Sequence, residues 1–442
     1  MLTADQGLAA PHNASSDRLP GTAALQFLKT LKTPCHLLVA YSGGSDSTGL
    51  LVALSDCIGA DDLAITLSVA TVDHGLRPGS AKEAIEAGGL CRRLGIVHAI
   101  LAWEGEKPRT GMQAAARAAR YRLLAQHAAA IGADAIVTGH TLDDQIETSA
   151  MRQARNPASV GGMAEAVLIE RRLWVYRPFL EVRRSAIRAL LAARQIGWAE
   201  DPSNDNDVFE RVRVRKARGA YEPVADFAGI AAARRLRLDA AAQLLAAHAA
   251  LHAGRVGELD LARHGGGDGV LLDAIVHLAA LIGGRSHAGG QQTAERIAAF
   301  LQGQQRCLAI DRVVLDRRGD RLYLVREQRL LPVMTIEPGA TAVWDNRFRI
   351  ANAGTACVTI GPCRPDVACR ALLPDVPAGL PGAVRQLAAA TEPVVLGRNA
   401  HRLDITPILA HFDAFVPIAS FGIAEILAKL GGLAHLPLPP SS

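Results

Sequence analysis

Three hydroxyls, two glycines and one carboxylate fill the six positions from Ser42 to Ser47, in the order SGGSDS. The apolar run HLLVAY (36–41) precedes them and a second apolar stretch follows, so the hexapeptide sits where a strand turns into a helix. The first backbone N–H groups of a helix have no partner within it, and with the helix dipole they point at an anion. Gly43 and Gly44 let the backbone come close and adopt unusual dihedrals. The hydroxyls of Ser42, Ser45 and Ser47 can donate to phosphate oxygens. A carboxylate among phosphate-binding groups makes sense when a cation lies between them, so Asp46 points to Mg2+. Its other reading is a helix N-cap. No lysine precedes the Ser47–Thr48 pair, which separates this loop from the Walker type.

Further candidates fall in three places. In GMQAAARAARYRLL (111–124), Arg117, Arg120, Tyr121 and Leu124 share one helical face, and two arginines with a tyrosine suit phosphate or a nucleotide. In GHTLDDQIET (139–148), Thr141 opens a helix with Asp143 and Asp144 in its first turn. Asp144 is open between dipole partner and functional group. His140 and Asp143 lie nearest the strand end and are the stronger catalytic candidates. In RVRVRK (211–216), Arg211, Arg213 and Arg215 line one face of a strand or splay around a helix, concentrating charge suited to an RNA backbone.

These groups need a scaffold that brings strand ends together. HLLVAY (36–41), ITLSVATVD (65–73), VHAILAW (97–103) and AIVTGH (135–140) read as strands, with helices at Ser80–Leu94 and Met112–Ile131. Such alternation implies an α/β, doubly wound parallel sheet with ligands at the carboxyl ends of its strands. The glycine-serine loop, VDHGLR and GHTLDDQ all follow strand ends and should converge on one crevice. Residues 1–33 read as a tail ending in a short helix, and 34–220 as the phosphate-binding catalytic domain. Residues 221–330 read as a helical middle domain with one long helix from Ile230 to about Ala253 and a hairpin around Arg318–Asp320. Residues 331–442 read as a small α+β C-terminal domain.

Composition narrows the partners. The 442 residues are 49% hydrophobic and 21% charged, ample for more than one core. The net charge is only +5, yet residues 171–218 alone carry twelve Lys/Arg against six Asp/Glu, as befits a polyanionic partner. Solvated helix faces are the plainer reading of the same charges. Seven cysteines without a C-x-x-C pair argue against a disulfide framework, a zinc ribbon or a cysteine-held cluster, and packing is the expected role of Cys357, Cys363 and Cys369. No apolar run reaches the roughly 18 residues of a membrane span, so no membrane partner and a cytoplasmic location are expected.

The SGGSDS loop resembles the signature of the PP-loop (N-type) ATP pyrophosphatases, which grip the β,γ-pyrophosphate of ATP and leave the α-phosphorus open to attack. VDHGLRPGSAKEA (72–84), GMQAAARAARYRLL (111–124), VTGHTLDDQIET (137–148), YRPFLEVRRSAI (176–187), WAEDPSNDNDVFERVRVR (198–215) and VWDNRF (343–348) are similar, in order and spacing, to the tRNA(Ile)-lysidine synthetase family. The match is dense over 34–218. It implies a Rossmann-like PP-loop fold and ATP-dependent attachment of free L-lysine to the wobble cytidine of an isoleucine tRNA with a CAU anticodon. It also implies that Ser42, Gly43, Gly44, Ser45, Asp46 and Ser47 bind ATP, with Asp46 placing Mg2+ or activating the amine. Val212 stands where the family carries asparagine, and Asn156–Pro157 replaces a glycine-containing turn. A tRNA 2-thiolase of the same superfamily and a non-catalytic RNA-binding protein are the competing readings, and a homodimer stays open.

Overall fold

The computed structural model describes residues 18–76, 79–108, 110–155, 161–200, 226–262, 268–363, 376–396 and 403–441. The segments around Asn156–Pro157 and Arg211–Arg215 lie outside the described residues. The chain divides into two compact units: 1–151 with 176–221 and 440–442, and 152–175 with 222–439.

The first unit is built on parallel strands. Strand β1 (Cys35–Ala40) has β2 (Ile65–Asp73) and then β3 (Val97–Ala102) on one side and β4 (Ala135–Thr138) on the other. In β1, the consecutive residues Leu37, Leu38 and Val39 are all fully buried. Burial without alternation means that both faces of the sheet are covered, as expected of a doubly wound fold. Each such side chain contributes about 2 kcal/mol of hydrophobic stabilisation. Helix α1 (Pro20–Thr30) packs on α2 (Ser45–Asp61), with Ala23, Ala24 and Leu28 buried. Helices α3 (Ser80–Arg93) and α4 (Met112–Ile131) match the predicted segments to within a residue. Helix α4 stops because Gly132 takes a left-handed conformation (φ +65°), where its N–H reaches the carbonyls of the last turn. Helix α5 (Leu142–Arg155) follows β4, and α6 (Arg184–Ala193) lies within the basic segment 171–218.

Sheet order reverses at β1, whose neighbours β2 and β4 belong to opposite halves. The loops after β1 and β4 therefore flank a switch point, where this kind of sheet binds ligands.

The second unit opens with β5 (Ala166–Ile169) and β6 (Leu173–Tyr176), and β18 (Phe415–Pro417) pairs antiparallel with β5. Helix α7 (Phe227–His248) is capped by Asp226, whose carboxylate accepts from Gly229 N–H. It is shorter than predicted, because Ala249–His252 leaves the helix as strand β7. The four residues have no helix-breaking chemistry. They extend because they pair with β8 (Val256–Asp260), so tertiary pairing overrides local propensity. The expected hairpin is present as β10 (Val313–Arg318) and β11 (Arg321–Arg326). It belongs to a five-stranded sheet with β7, β8 and β9 (Cys307–Ile310), which makes this region less purely helical than predicted. Helices α8 (Gly269–Ile282) and α9 (Gln291–Gln302) complete it. Beyond it, β12 (Met334–Ile336), β15 (Val358–Pro362) and β16 (Pro393–Val395) form one small sheet, and β13 (Thr341–Trp344), β14 (Phe348–Asn352) and β17 (Leu403–Pro407) another. Helix α10 (Gly382–Ala390) packs on β11, and α11 (Phe421–Leu430) packs on α7. Cys363 is disulfide-bonded, contrary to its expected role in plain packing.

Within VWDNRF, Asp345 and Asn346 both have φ near +53° and are the central residues of a β-turn closed by Arg347 N–H donating to the Trp344 carbonyl (3.1 Å), within the three-residue connection between the paired Trp344 and Phe348. The Asp345 carboxylate is fully buried and takes hydrogen bonds from Arg326 Nε and Nη2 (both 3.0 Å), Arg347 Nε (2.7 Å) and Arg312. Burial drives the Arg347 pKa down to about 10 despite Asp345 and Glu392 nearby. This motif is a structural hub.

Candidate active site

The SGGSDS loop links β1 to α2. Gly43 has φ +80°, which only glycine adopts without strain, and its carbonyl accepts from Ala199 N–H at 2.9 Å. Gly44 is the N-cap of α2 and provides no side-chain cap, so the N–H groups of the first turn stay available for an anion. The N-cap reading of Asp46 is thereby excluded: Asp46 is the second helical residue. Ser47 Oγ bonds Ser42 Oγ (3.1 Å), Ser42 N–H (3.2 Å) and the Gly44 carbonyl (3.1 Å), which ties the loop into a closed turn. Ser45 Oγ donates to Asp46 Oδ1 at 2.9 Å.

Two glycines that the sequence reading passed over fix the neighbours of this loop. At Gly139, just after β4, a Cβ would lie 2.8 Å from the Asp46 carbonyl oxygen and 2.9 Å from Ser47 N. At Gly49, a Cβ would lie 2.3 Å from Cγ2 of Ile187, a fully buried residue of α6. Glycine at 49 thus lets α2 and α6 touch. One turn earlier on each helix, Asp46 then meets Arg184.

Arg184 is the residue that sequence reasoning missed. Its Nε donates to Asp46 Oδ2 (2.9 Å), its Nη2 to Asp144 Oδ1 (3.4 Å) and its backbone N–H to Asp143 Oδ2 (2.8 Å), and its Nη1 lies 4.0 Å from Glu147 Oε1. Burial alone would lower its pKa, but Asp46, Asp144 and Asp143 outweigh that and raise it. Its neighbour Arg183 lies 3.9 Å from Asp143. The signal was present in the sequence only as one of many basic residues in 171–218.

Asp144 also closes a capping box: its Oδ2 accepts from Thr141 N–H (2.8 Å) and Oγ1 (2.9 Å), while its own N–H reaches Thr141 Oγ1 (3.3 Å). The structural reading of Asp144 therefore applies. His140 shares a hydrogen bond of 2.9 Å between Nδ1 and Thr138 Oγ1 at the end of β4.

On α4, the guanidinium of Arg117 lies over the Tyr121 ring at 5.1 Å, and Arg120 Nη2 is 3.4 Å from Nε2 of His74. Leu124, grouped with them on the helical face, is instead core. His74 follows β2 and meets the Trp103 ring edge-on at 6.0 Å. Burial and the nearby Arg120 lower its pKa, and its buried Nδ1 has no hydrogen-bond partner among the described residues. Arg211 and Arg215 lie outside the described residues.

An all-oxygen donor set of serine hydroxyls and Asp46 beside a phosphate cradle fits Mg2+, which takes one or two carboxylates and completes its shell with phosphate and water. Among the described residues, no group of three or more His, Cys, Asp or Glu side chains is arranged to hold a metal ion. None of the described helices is long and apolar enough to cross a membrane.

Comparison with known proteins places this geometry. Residues 21–218 match the family described as the PP-loop domain. A tRNA(Ile)-lysidine synthase of Rhizobium meliloti (strain 1021) is 39% identical over 448 residues, covering 94% of this chain and 96% of the relative. One from Mesorhizobium japonicum is 38% identical, covering 91% and 94% respectively. One from Brucella melitensis biotype 2 is 39% identical over 343 residues, 74% of this chain and 76% of its own.

Proposed function

Since this chain belongs to the tRNA(Ile)-lysidine synthase family, whose catalytic core is a PP-loop domain, we propose that its switch-point crevice joins L-lysine to the wobble cytidine of an isoleucine tRNA. The protein is an ATP-dependent carbon–nitrogen ligase. The observation that carries the reading is the SGGSDS cradle, with left-handed Gly43, an uncapped helix N-terminus and the Asp46 carboxylate one residue inside it.

The cytosine 2-carbonyl is a poor electrophile until its oxygen bears a phosphoryl group. Its oxygen attacks the α-phosphorus of ATP, and the bond to the β,γ-pyrophosphate breaks. The first-turn N–H groups of α2 and the hydroxyls of Ser42, Ser45 and Ser47 hold that leaving group as its charge develops. The ε-amine of lysine then adds to C2, and AMP departs with the former carbonyl oxygen. The amine must be unprotonated to attack, and Asp46, Asp143 and His140 are the bases at hand. Mg2+ bound at Asp46 would neutralise charge on the polyphosphate. Arg117 and Arg120 on α4 would contact phosphate or base, and Arg211 and Arg215 of the basic segment would serve the tRNA backbone.

Sulfur transfer is disfavoured by the cysteines. Burial, reinforced by Asp134, pushes Cys35 up to about 11, and burial also raises Cys57. A sulfur carrier needs the opposite shift.

The test is to incubate α-labelled ATP with an isoleucine tRNA carrying a CAU anticodon, without lysine. Label should appear on the RNA, and added lysine should release AMP and leave lysidine detectable by mass spectrometry. Exchange of pyrophosphate into ATP that needs lysine but no tRNA, or ADP as the product, would overturn the mechanism.

A further inference from the structure

The acidic side of the crevice is neutralised by a residue of the chain itself. Four carboxylates converge on one residue: Asp46 from α2, Asp143 and Asp144 from the first turn of α5 and Glu147 from the next, all within 4.0 Å of Arg184. Asp143 and Asp144 are pinned further by Arg183 and by Thr141. Asp46 is different. Apart from its bond with the adjacent Ser45 hydroxyl, its side-chain partner is the Arg184 guanidinium at 2.9 Å. Oδ1 is taken by the Ser45 hydroxyl and Oδ2 by Arg184, so a divalent cation drawn to Asp46 would meet the guanidinium there. Two positive charges cannot share one carboxylate oxygen at such a distance without strong mutual repulsion, because the groups are about one-fifth exposed and only partly screened.

We propose that Arg184 is a positioning residue that serves as an internal counter-cation: it holds Asp46 against Asp144 before ATP arrives and is displaced from Asp46 when the divalent cation binds with the nucleotide. The proposal rests on the assignment of Asp46 as the metal-facing carboxylate. Its mechanical basis is the Gly49–Ile187 contact, which sets the two helices so that Asp46 and Arg184 meet one turn away. Backbone donation from Arg184 to Asp143 anchors the main chain at the start of α6, so the side chain can leave without unseating the helix. The arrangement offsets the mutual repulsion of the carboxylates and makes metal binding a competition rather than a simple addition.

The competition has a sign that a purely structural role lacks. Mn2+ serves as the probe, followed by electron paramagnetic resonance on the full-length protein, alone and with α,β-methylene-ATP. Arg184→Gln should bind Mn2+ alone about tenfold more tightly than the unmodified protein, the scale of one partly buried charge pair after solvent screening. Adding the nucleotide should shrink that difference, because the polyphosphate supplies ligands of its own. Arg184→Lys, a point charge that cannot span two carboxylates, should fall between the two. Asp46→Asn should lose Mn2+ binding whether or not Arg184 is present. Equal or weaker Mn2+ binding by Arg184→Gln, with Asp46→Asn still defective, would overturn the counter-cation role alone. Undiminished Mn2+ binding by Asp46→Asn would instead overturn the metal assignment beneath it. If Arg184→Gln does not fold, Arg184→Lys decides by the same direction of change.

Discussion

Replacing Gly139 by alanine tests whether the ATP loop is held from behind by the end of β4. The new methyl group would stand 2.8 Å from the Asp46 carbonyl oxygen, 2.9 Å from its carbonyl carbon and 2.9 Å from Ser47 N. All three are backbone atoms, so no side chain can swing aside. Relief to ordinary contact needs a displacement of about 0.6 Å, taken up by the first turn of α2 or by the strand end that carries His140. Overpacking of this kind costs about 1–3 kcal/mol, which a chain of this size survives. The chemistry is less tolerant. A reacting group misplaced by about 1 Å loses on the order of a hundredfold in rate, so a shift of about half that should lower turnover by roughly tenfold or more. The KM for ATP should rise as well, because the cradle itself moves. Formation of labelled adenylated tRNA reports the first step directly, and a thermal melt reports folding in the same preparation. A Gly139→Ala protein that melts normally and adenylates tRNA at the unmodified rate and KM would refute the idea that β4 positions the loop.

Three further outcomes follow from other parts of the chain. Asp345→Asn should destabilise the second unit by about 3–5 kcal/mol, since it leaves buried guanidiniums from Arg326 and Arg347 without their anion; a melting temperature unchanged within error would contradict the hub. His277, buried on α8 and bonded to His411 at 3.1 Å, has its pKa lowered by burial to about 4. Its contribution to stability is therefore complete above about pH 6.5 and is lost as pH falls from there toward 4, by about 3 kcal/mol in all. Urea unfolding at stepped pH should show this fall, and His277→Leu should flatten it; an equally steep fall in the variant would assign it to other groups. Finally, tRNA affinity should drop steeply with salt, and a double Arg211→Ala, Arg215→Ala variant should reduce the slope of log K against log[salt] by about two. An unchanged slope would move the RNA surface elsewhere.

The parallel core was legible in the sequence because its cause is local. Four short apolar runs, each bounded by glycine or polar turns, read as strands, and β1 to β4 lie within a residue or two of where those runs fall, β3 as an edge strand that leaves Val97 and Ile100 exposed. The cradle was legible for the same reason, since Gly43 and Gly44 announce a backbone conformation rather than a contact. Strand β7 was not, because Ala249–His252 is helical by propensity and extended only by its pairing with β8.

Arg184 shows where such reading stops. In the sequence it is one arginine among twelve basic residues in 171–218, and charge counting assigns the whole group to an RNA backbone. What distinguishes it is a steric fact about two other residues. Gly49 lacks the Cβ that would collide with Ile187, so α6 can lie against α2, and helical periodicity carries the contact back one turn to Arg184 and Asp46. A glycine in the middle of a helix costs stability of the order of 1 kcal/mol relative to alanine. That cost is a local signal, and it has a local reading: a mid-helix glycine next to an anion-binding helix start marks the place where a second helix must approach. Followed in that direction, the sequence points from Gly49 to a partner helix and from there to a charge beside Asp46, although which basic residue supplies it is decided only by the fold.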